Sequence, residues 1–254
     1  MPSSYCQRTK LIMKEKIYTI PINDAFAKDC ECAICEFERQ EEQARIDYTV
    51  GASMMEPDER IFTNERGFCR RHSSMLLKCE NKLSLALVLK THTDSLVSTL
   101  GEISKLVQSD NSKGGLFGAK KSSAVENAAA LAADRAKSCA VCERLSETMD
   151  KFCENIFYLY DADNEFRQKF LSSKGFCMNH YAMLMTKAAK SMNGKKLKDF
   201  CIALTELEEN NLRRISEDAD WFAKKFDYRY ANEDWKNSRD AVPRAAAKVT
   251  QFTD

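Results

Sequence analysis

The sequence predicts an all-α protein of two tandem helical modules related by an internal repeat, and three observations lead there. Composition is the first: 44% hydrophobic and 30% charged residues, with only eight Gly and four Pro in 254 positions, the profile of a globular chain rich in helix. Second, apolar residues recur every three or four positions over long stretches, while strand-like alternation is confined to IYTIPI at residues 17–22. Third, one phrase occurs twice, as GFCRRHSSML at 67–76 and as GFCMNHYAML at 175–184. The length allows two domains of ordinary size, each with its own core.

Taken in order, residues 1–16 read as an N-terminal extension, because Met13 opens a more ordinary start; Cys6 is then incidental. Pro21 makes IYTIPI an extended arm or an edge strand. The first module, 17–109, carries Cys32-Ala-Ile-Cys35 and then the charge run EFERQEEQARID, which at helical spacing reads as a solvated face. SMMEPDER, residues 53–60, reads as a polar loop that a protein partner or small ligand could contact. Gly67 lets the backbone approach closely or take a positive φ just before Cys69. Leu85, Leu89, His92, Leu96, Leu100, Ile103 and Val107 then share one helix face. A linker follows at 110–123, where three of the eight glycines cluster with Lys and Ser. The second module, 124–230, opens on AVENAAALAADRAKS, strong helix formers that run into Cys139-Ala-Val-Cys142. After its own Gly175 comes a second stripe: Leu197, Phe200, Leu204, Leu207, Leu212, Ile215, Ala219, Phe222 and Phe226. The tail, 231–254, is polar and irregular but keeps aromatics, including Trp235, that would pack it on the body.

The two modules match closely. Cys32-Ala-Ile-Cys35 lies 107 positions before Cys139-Ala-Val-Cys142, and Cys69-Arg-Arg-His72 lies 108 before Cys177-Met-Asn-His180, so one inserted residue aligns them. Glu36 and Glu143, Phe62 and Phe170, Gly67-Phe68 and Gly175-Phe176, and Met75-Leu76 and Met183-Leu184 follow the same offsets.

A two-residue gap lets both side chains of a CxxC or a CxxH point at one ion, and three thiolates with one imidazole suit tetrahedral zinc. The intervals of 34 and 35 residues from CxxC to CxxH let a helix fold out and return. The expected metal ligands are therefore Cys32, Cys35, Cys69 and His72 in one site, and Cys139, Cys142, Cys177 and His180 in the other, giving two Zn2+ per chain. If each CxxH begins a helix, first-turn amides face its thiolate. Four protein donors leave no position for substrate, which makes such sites structural. Three alternatives stay open: plainly buried thiols, an iron–sulfur cluster on Cys30, Cys32, Cys35 and Cys69, and a thiol switch in which oxidation expels zinc, with Cys30 as a resolving thiol. His92 reads as a hydrogen-bonded core imidazole, and Cys79, Cys153 and Cys201 as small core residues.

The 39 basic and 38 acidic residues cancel, so no chain-wide field gathers nucleic acid or anionic membrane; the Arg70-Arg71 turn and the Lys/Arg-bearing tail are the only local footing. No signal-peptide h-region opens the chain, and LSLALVL at 83–89 is too short to span a bilayer, which together predict a cytoplasmic protein. No P-loop, dinucleotide glycine pattern, nucleophile elbow or HExxH is present, so no catalytic residue is assigned. The expected role is a binding or scaffolding module, with a redox-responsive thiol switch or a thiol oxidoreductase using the same cysteines as the alternative.

MKEKIYTIPINDAF from Met13, the CxxC, SMMEP, the two GFCxxH phrases, KKFDYR and DAVPRA together resemble a bacterial family of Clostridia and Firmicutes type labelled only as a domain of unknown function. The resemblance covers nearly the whole chain from Met13. It implies a cytosolic bacterial protein whose paired ligands are Cys32, Cys35, Cys69 and His72, with Cys139, Cys142, Cys177 and His180, and it implies no reaction.

Overall fold

The computed structural model describes residues 19–109 and 123–250; the expected extension at 1–16 with Cys6, and the expected linker up to residue 122, lie outside the described residues. Among the described residues the chain is helical and has no strand. The helices are α1 (19–27), α2 (Ala33–Thr49), α3 (Pro57–Arg66), α4 (Arg70–Lys78), α5 (Lys82–Gln108), α6 (Ser123–Lys137), α7 (Ala140–Ala162), α8 (Asn164–Leu171), α9 (Met178–Ser191), α10 (Gly194–Lys224) and α11 (Ala241–Thr250). Among the described residues, no helix is long and apolar enough to cross a membrane.

The chain divides into two compact units, Met1–Gln40 with Thr148–Asp254, and Glu41–Glu147. These bounds differ from the modules expected at 17–109 and 124–230. Each unit takes its CxxC from one sequence copy and its CxxH from the other. Because the copies are near-equivalent in their chemistry, either arrangement satisfies the same residue pattern.

The unit that holds residues 19–40 and 148–250 has an aromatic core. Ile22, Ala25 and Phe26 of α1 are buried at i, i+3 and i+4, and that spacing makes residues 19–22 helical where an extended arm was expected at Pro21. The Phe26 ring lies 5.1 Å from Phe166 and 5.7 Å from Phe170, and Phe170 lies 5.8 Å from Phe200. Asp163 caps α8, its carboxylate accepting from the amides of Glu165 at 2.9 Å and Phe166 at 3.1 Å. Along α10, Phe200, Leu204, Leu207 and Ile215 are buried as the stripe requires, but Phe226 lies beyond the helix end and is 76% exposed. Residues 231–240 of the tail are turns and bends as expected, but the chain then forms α11, which packs on α9 and α10 with Pro243 in its first turn, where the missing amide hydrogen costs little.

In the unit Glu41–Glu147, Ile46, Val50, Leu76, Leu85, Cys139 and Val141 form the core. SMMEPDER is not a loop. A 3-10 turn, Ala52–Met55, leads into α3, which starts on Pro57, carries Asp58 and Glu59 in its first turn and ends at Gly67 with φ 62°. Helices α3 and α6 pack along α5. Leu85 and Val88 are buried there, while Leu100 and Val107 are exposed, so the outer part of the α5 stripe is not core. Helix α6 stops at Lys137 instead of running into Cys139. The Ser138 hydroxyl donates to the Arg66 carbonyl at 2.7 Å and the Ala140 amide to the Gly67 carbonyl at 2.9 Å, which ties this break to the GFC turn.

Candidate metal centres

All eight residues expected as ligands gather into two groups of four, but the pairing is crossed. Cys32 and Cys35 meet Cys177 and His180 (site I), and Cys69 and His72 meet Cys139 and Cys142 (site II); in each, one donor atom per residue lies within 4.8 Å of the others. The pairing expected within each copy is thereby corrected: His72 joins Cys139 and Cys142, and His180 joins Cys32 and Cys35. Each group lies wholly inside one compact unit.

Local structure explains how the donors converge. Cys69 and Cys177 stand in extended conformation at the N-caps of α4 and α9, so each CxxH places its histidine in the first helical turn. Gly67 (φ 62°) and Gly175 (φ 74°) turn the chain two residues earlier in the left-handed region that favours glycine. These two turns are buttressed by different chemistry. At Gly67 a Cβ would run into the His92 ring, whose Nδ1–H donates to the Asn64 carbonyl at 2.9 Å. At Gly175 it would lie 2.7 Å from Glu208 Oε2, which accepts from the Phe176 amide at 2.7 Å. The fully buried Lys248 of α11 donates to the Phe176 carbonyl at 3.1 Å and also to that of Lys174. His92 is thus half-buried support for the site II turn, without being a ligand.

The distances fit a tetrahedral ion. With zinc bonds of about 2.3 Å to sulfur and about 2.0 Å to nitrogen, the edges of a tetrahedron are about 3.8 Å for S···S and about 3.5 Å for S···N. In site I, His180 Nδ1 lies 3.4 Å from Cys32 Sγ, 3.3 Å from Cys35 Sγ and 3.3 Å from Cys177 Sγ, with Cys35 and Cys177 3.6 Å apart. In site II, His72 Nδ1 lies 3.3 Å from the sulfurs of Cys69, Cys139 and Cys142, with Cys69 and Cys142 3.9 Å apart.

One imidazole nitrogen carries either one proton or one lone pair, so it cannot hydrogen-bond three sulfurs together. The far nitrogens settle which it carries in the neutral ring. His72 Nε2–H donates to Glu42 Oε1 at 2.9 Å, and His180 Nε2 faces Glu38 Oε2 at 3.2 Å. A carboxylate only accepts, so the proton sits on Nε2 and the Nδ1 lone pair points among the thiolates, the arrangement in which carboxylates orient ligating histidines. Sequence reading missed these two carboxylates. The signal was present: Cys35, Glu38 and Glu42 stand at i, i+3 and i+7, on one face of α2. Glu42 is buried and also holds Arg71 by a bidentate pair at 2.7 and 2.8 Å, which engages part of the basic Arg70-Arg71 turn.

Protonation of the groups by themselves shows the strain that a cation relieves. Hydrogen bonds from Cys32 and Cys35 pull the Cys177 thiol far down, while bonds to Cys177 and Cys32 push Cys35 far up. In site II, burial pushes the Cys139 thiol up, but the His72 ring and backbone amides bring it down to about 6; burial and the Cys139 charge push Cys142 up. Three close thiolates cannot all ionise unless a positive charge sits among them. Burial disfavours the imidazolium form, yet Cys139, Glu42 and Cys69 raise His72 to about 9, and Cys177, Cys32 and Glu38 raise His180 to about 12.

The other cysteines stand apart. Cys30 is half-buried outside site I, its thiol pushed up by burial, and the four-thiolate set with Cys69 is not assembled because Cys69 belongs to site II. Cys153 is fully buried and desolvation pushes it to about 11, while Cys79 and Cys201 are half-buried.

The pattern of two Cys3His groups on this helical frame extends over most of the chain, and so does the match to known families. The chain belongs to a family of unknown function, DUF6062, matched over residues 13–254. No curated protein and no solved structure matches it. For this DUF6062 chain the sites themselves therefore carry the functional reading: two Cys3His groups, each of which could hold a metal ion.

Proposed function

We propose that the protein is a cytosolic zinc protein with one structural Zn2+ at Cys32, Cys35, Cys177 and His180 and another at Cys69, His72, Cys139 and Cys142, and that it serves as a binding or scaffolding module. The observation that carries the metal reading is a single ring nitrogen 3.3–3.4 Å from three sulfurs in each group, with the opposite nitrogen held by a carboxylate. Zinc is favoured over other ions because three thiolates and an imidazole form a soft, tetrahedral set. Four protein donors close the shell, which leaves an ion there to cross-link helices instead of activating water. Site I would join the start of α2 to α9, and site II the start of α7 to α4, so binding free energy becomes folding free energy. The duplicated ligand phrases support an origin of the two halves from one ancestral module.

Elemental analysis of protein purified without added metal tests this, with about two zinc per chain expected. Chelation should lower helicity with the loss of metal. Protein that folds fully, holds no zinc and is indifferent to chelator would overturn the reading, as would iron with visible charge-transfer absorption.

A further inference from the structure

The two sites differ in what they show to solvent. In site I a sulfur–sulfur contact of 3.6 Å joins half-buried Cys35 to Cys177, which is fully buried. In site II a sulfur–sulfur contact of 3.9 Å joins the two more open residues, exposed Cys142 and half-buried Cys69, while Cys139 and His72 lie beneath. Only site II therefore offers a reactant an accessible thiolate with a second accessible thiolate beside it.

We propose that Cys142 and Cys69 form a peroxide-reactive pair, which converts site II into a disulfide and empties it while site I keeps its ion. The inference rests on the zinc reading above. Zinc-bound cysteine is a thiolate, the form that attacks hydroperoxides. The Cys142 thiolate attacks one oxygen of hydrogen peroxide; an S–O bond forms, the O–O bond breaks, and hydroxide leaves to take a proton from solvent. The Cys69 thiolate then attacks the sulfenic sulfur; an S–S bond forms, the S–O bond breaks, and a second hydroxide leaves. Two thiolates have given two electrons to the peroxide, and thiol reductants reverse the change. The sulfurs close from 3.9 Å to a bond of about 2.05 Å, a movement of side chains at the α4 N-cap and the first turn of α7. Cys139 and His72 remain, too few donors to hold a tetrahedral ion.

The experiment follows zinc release from the full chain in a chromogenic chelator as hydrogen peroxide is added, with peptide mapping at each step. The expected result is release of one ion per chain roughly tenfold faster than the other. A Cys69–Cys142 disulfide should appear in step, with recovery on adding dithiothreitol and zinc. Simultaneous release of both ions, earlier release from site I, or a first disulfide elsewhere would overturn the proposal. Protein that contains two zinc ions but ignores peroxide sinks this inference alone, whereas protein that never contains zinc sinks the metal reading beneath it. Cys142→His, which keeps four donors and removes the open sulfur, should hold two zinc ions and resist peroxide; if it binds only one, the wild-type peptide map decides.

Discussion

Glu38 and Glu42 hold the outer nitrogens of the two histidines, and their removal is the most local test of the sites. Carboxylates that orient ligating histidines typically account for 10–100-fold in metal affinity, so Glu42→Ala should weaken site II by about that factor and Glu38→Ala site I, each leaving the other site unchanged in chelator competition. Equal losses at both sites would point to general destabilisation. The residues were visible in the sequence as a charge run, and such runs usually face water; only their place on the Cys35 face marked them out. The histidines also set a pH dependence. Without metal, His72 is raised to about 9 and His180 to about 12, so at pH 7 both hold protons that metal must displace, together with thiol protons. Apparent zinc affinity should therefore fall as pH falls. In the metal-free fold the sign is opposite: the raised His72 contributes stability that is fully present below 6.5 and is lost as pH rises through about 9. Calorimetry of zinc uptake in buffers of differing ionisation heat should show proton release; uptake without it would remove the histidines from the ligand set.

Among the elements, α11 was the least legible and has the sharpest consequence. Its segment reads as a polar tail, since neither Lys248 nor Arg244 marks a buried face. Burial of the Lys248 stem and ammonium becomes favourable only because the chain on either side of Gly175 supplies the Lys174 and Phe176 carbonyls, with Glu208 and Glu31 carboxylates 3.8 and 4.0 Å away. Lys248→Met keeps the volume but leaves those groups without their cation, and breaking a buried pair costs about 3–5 kcal/mol. It should loosen the Phe176-Cys177 turn and speed zinc loss from site I while site II exchanges as before, measured by chelator kinetics in a site II-deleted background and in a site I-deleted one. The long stripes of α5 and α10 were, by contrast, readable from periodicity, because burial on one face is what a 3.6-residue repeat encodes. Where they failed, at Leu100, Val107 and Phe226, the apolar residue stays exposed, although the Phe226 ring meets Phe222 edge-on at 5.4 Å. IYTIPI misled for a related reason: over six residues, alternation and helical spacing are hard to separate, and Ile22, Ala25 and Phe26 decide for helix over its described residues, 19–22.

At the scale of the whole molecule, the ligand types and their number per site could be read from the sequence, whereas their partners could not. A duplicated ligand set admits two pairings, and chain length discriminates weakly between them. Joining Cys35 to Cys177 closes 142 residues where joining it to Cys69 closes 34. At about 0.6 kcal/mol per doubling the local pairing gains only about 1.2 kcal/mol, less than packing of α1, α9 and α10 can outweigh. The crossed pairing is the central claim, and zinc content of two double variants tests it directly. Cys69→Ala/Cys139→Ala removes two donors from site II alone and should leave about one zinc per chain, while Cys32→Ala/Cys69→Ala damages both sites and should leave about none. The reverse order, with about none in the first variant and about one in the second, would show that each sequence copy binds its own ion and would contradict the account.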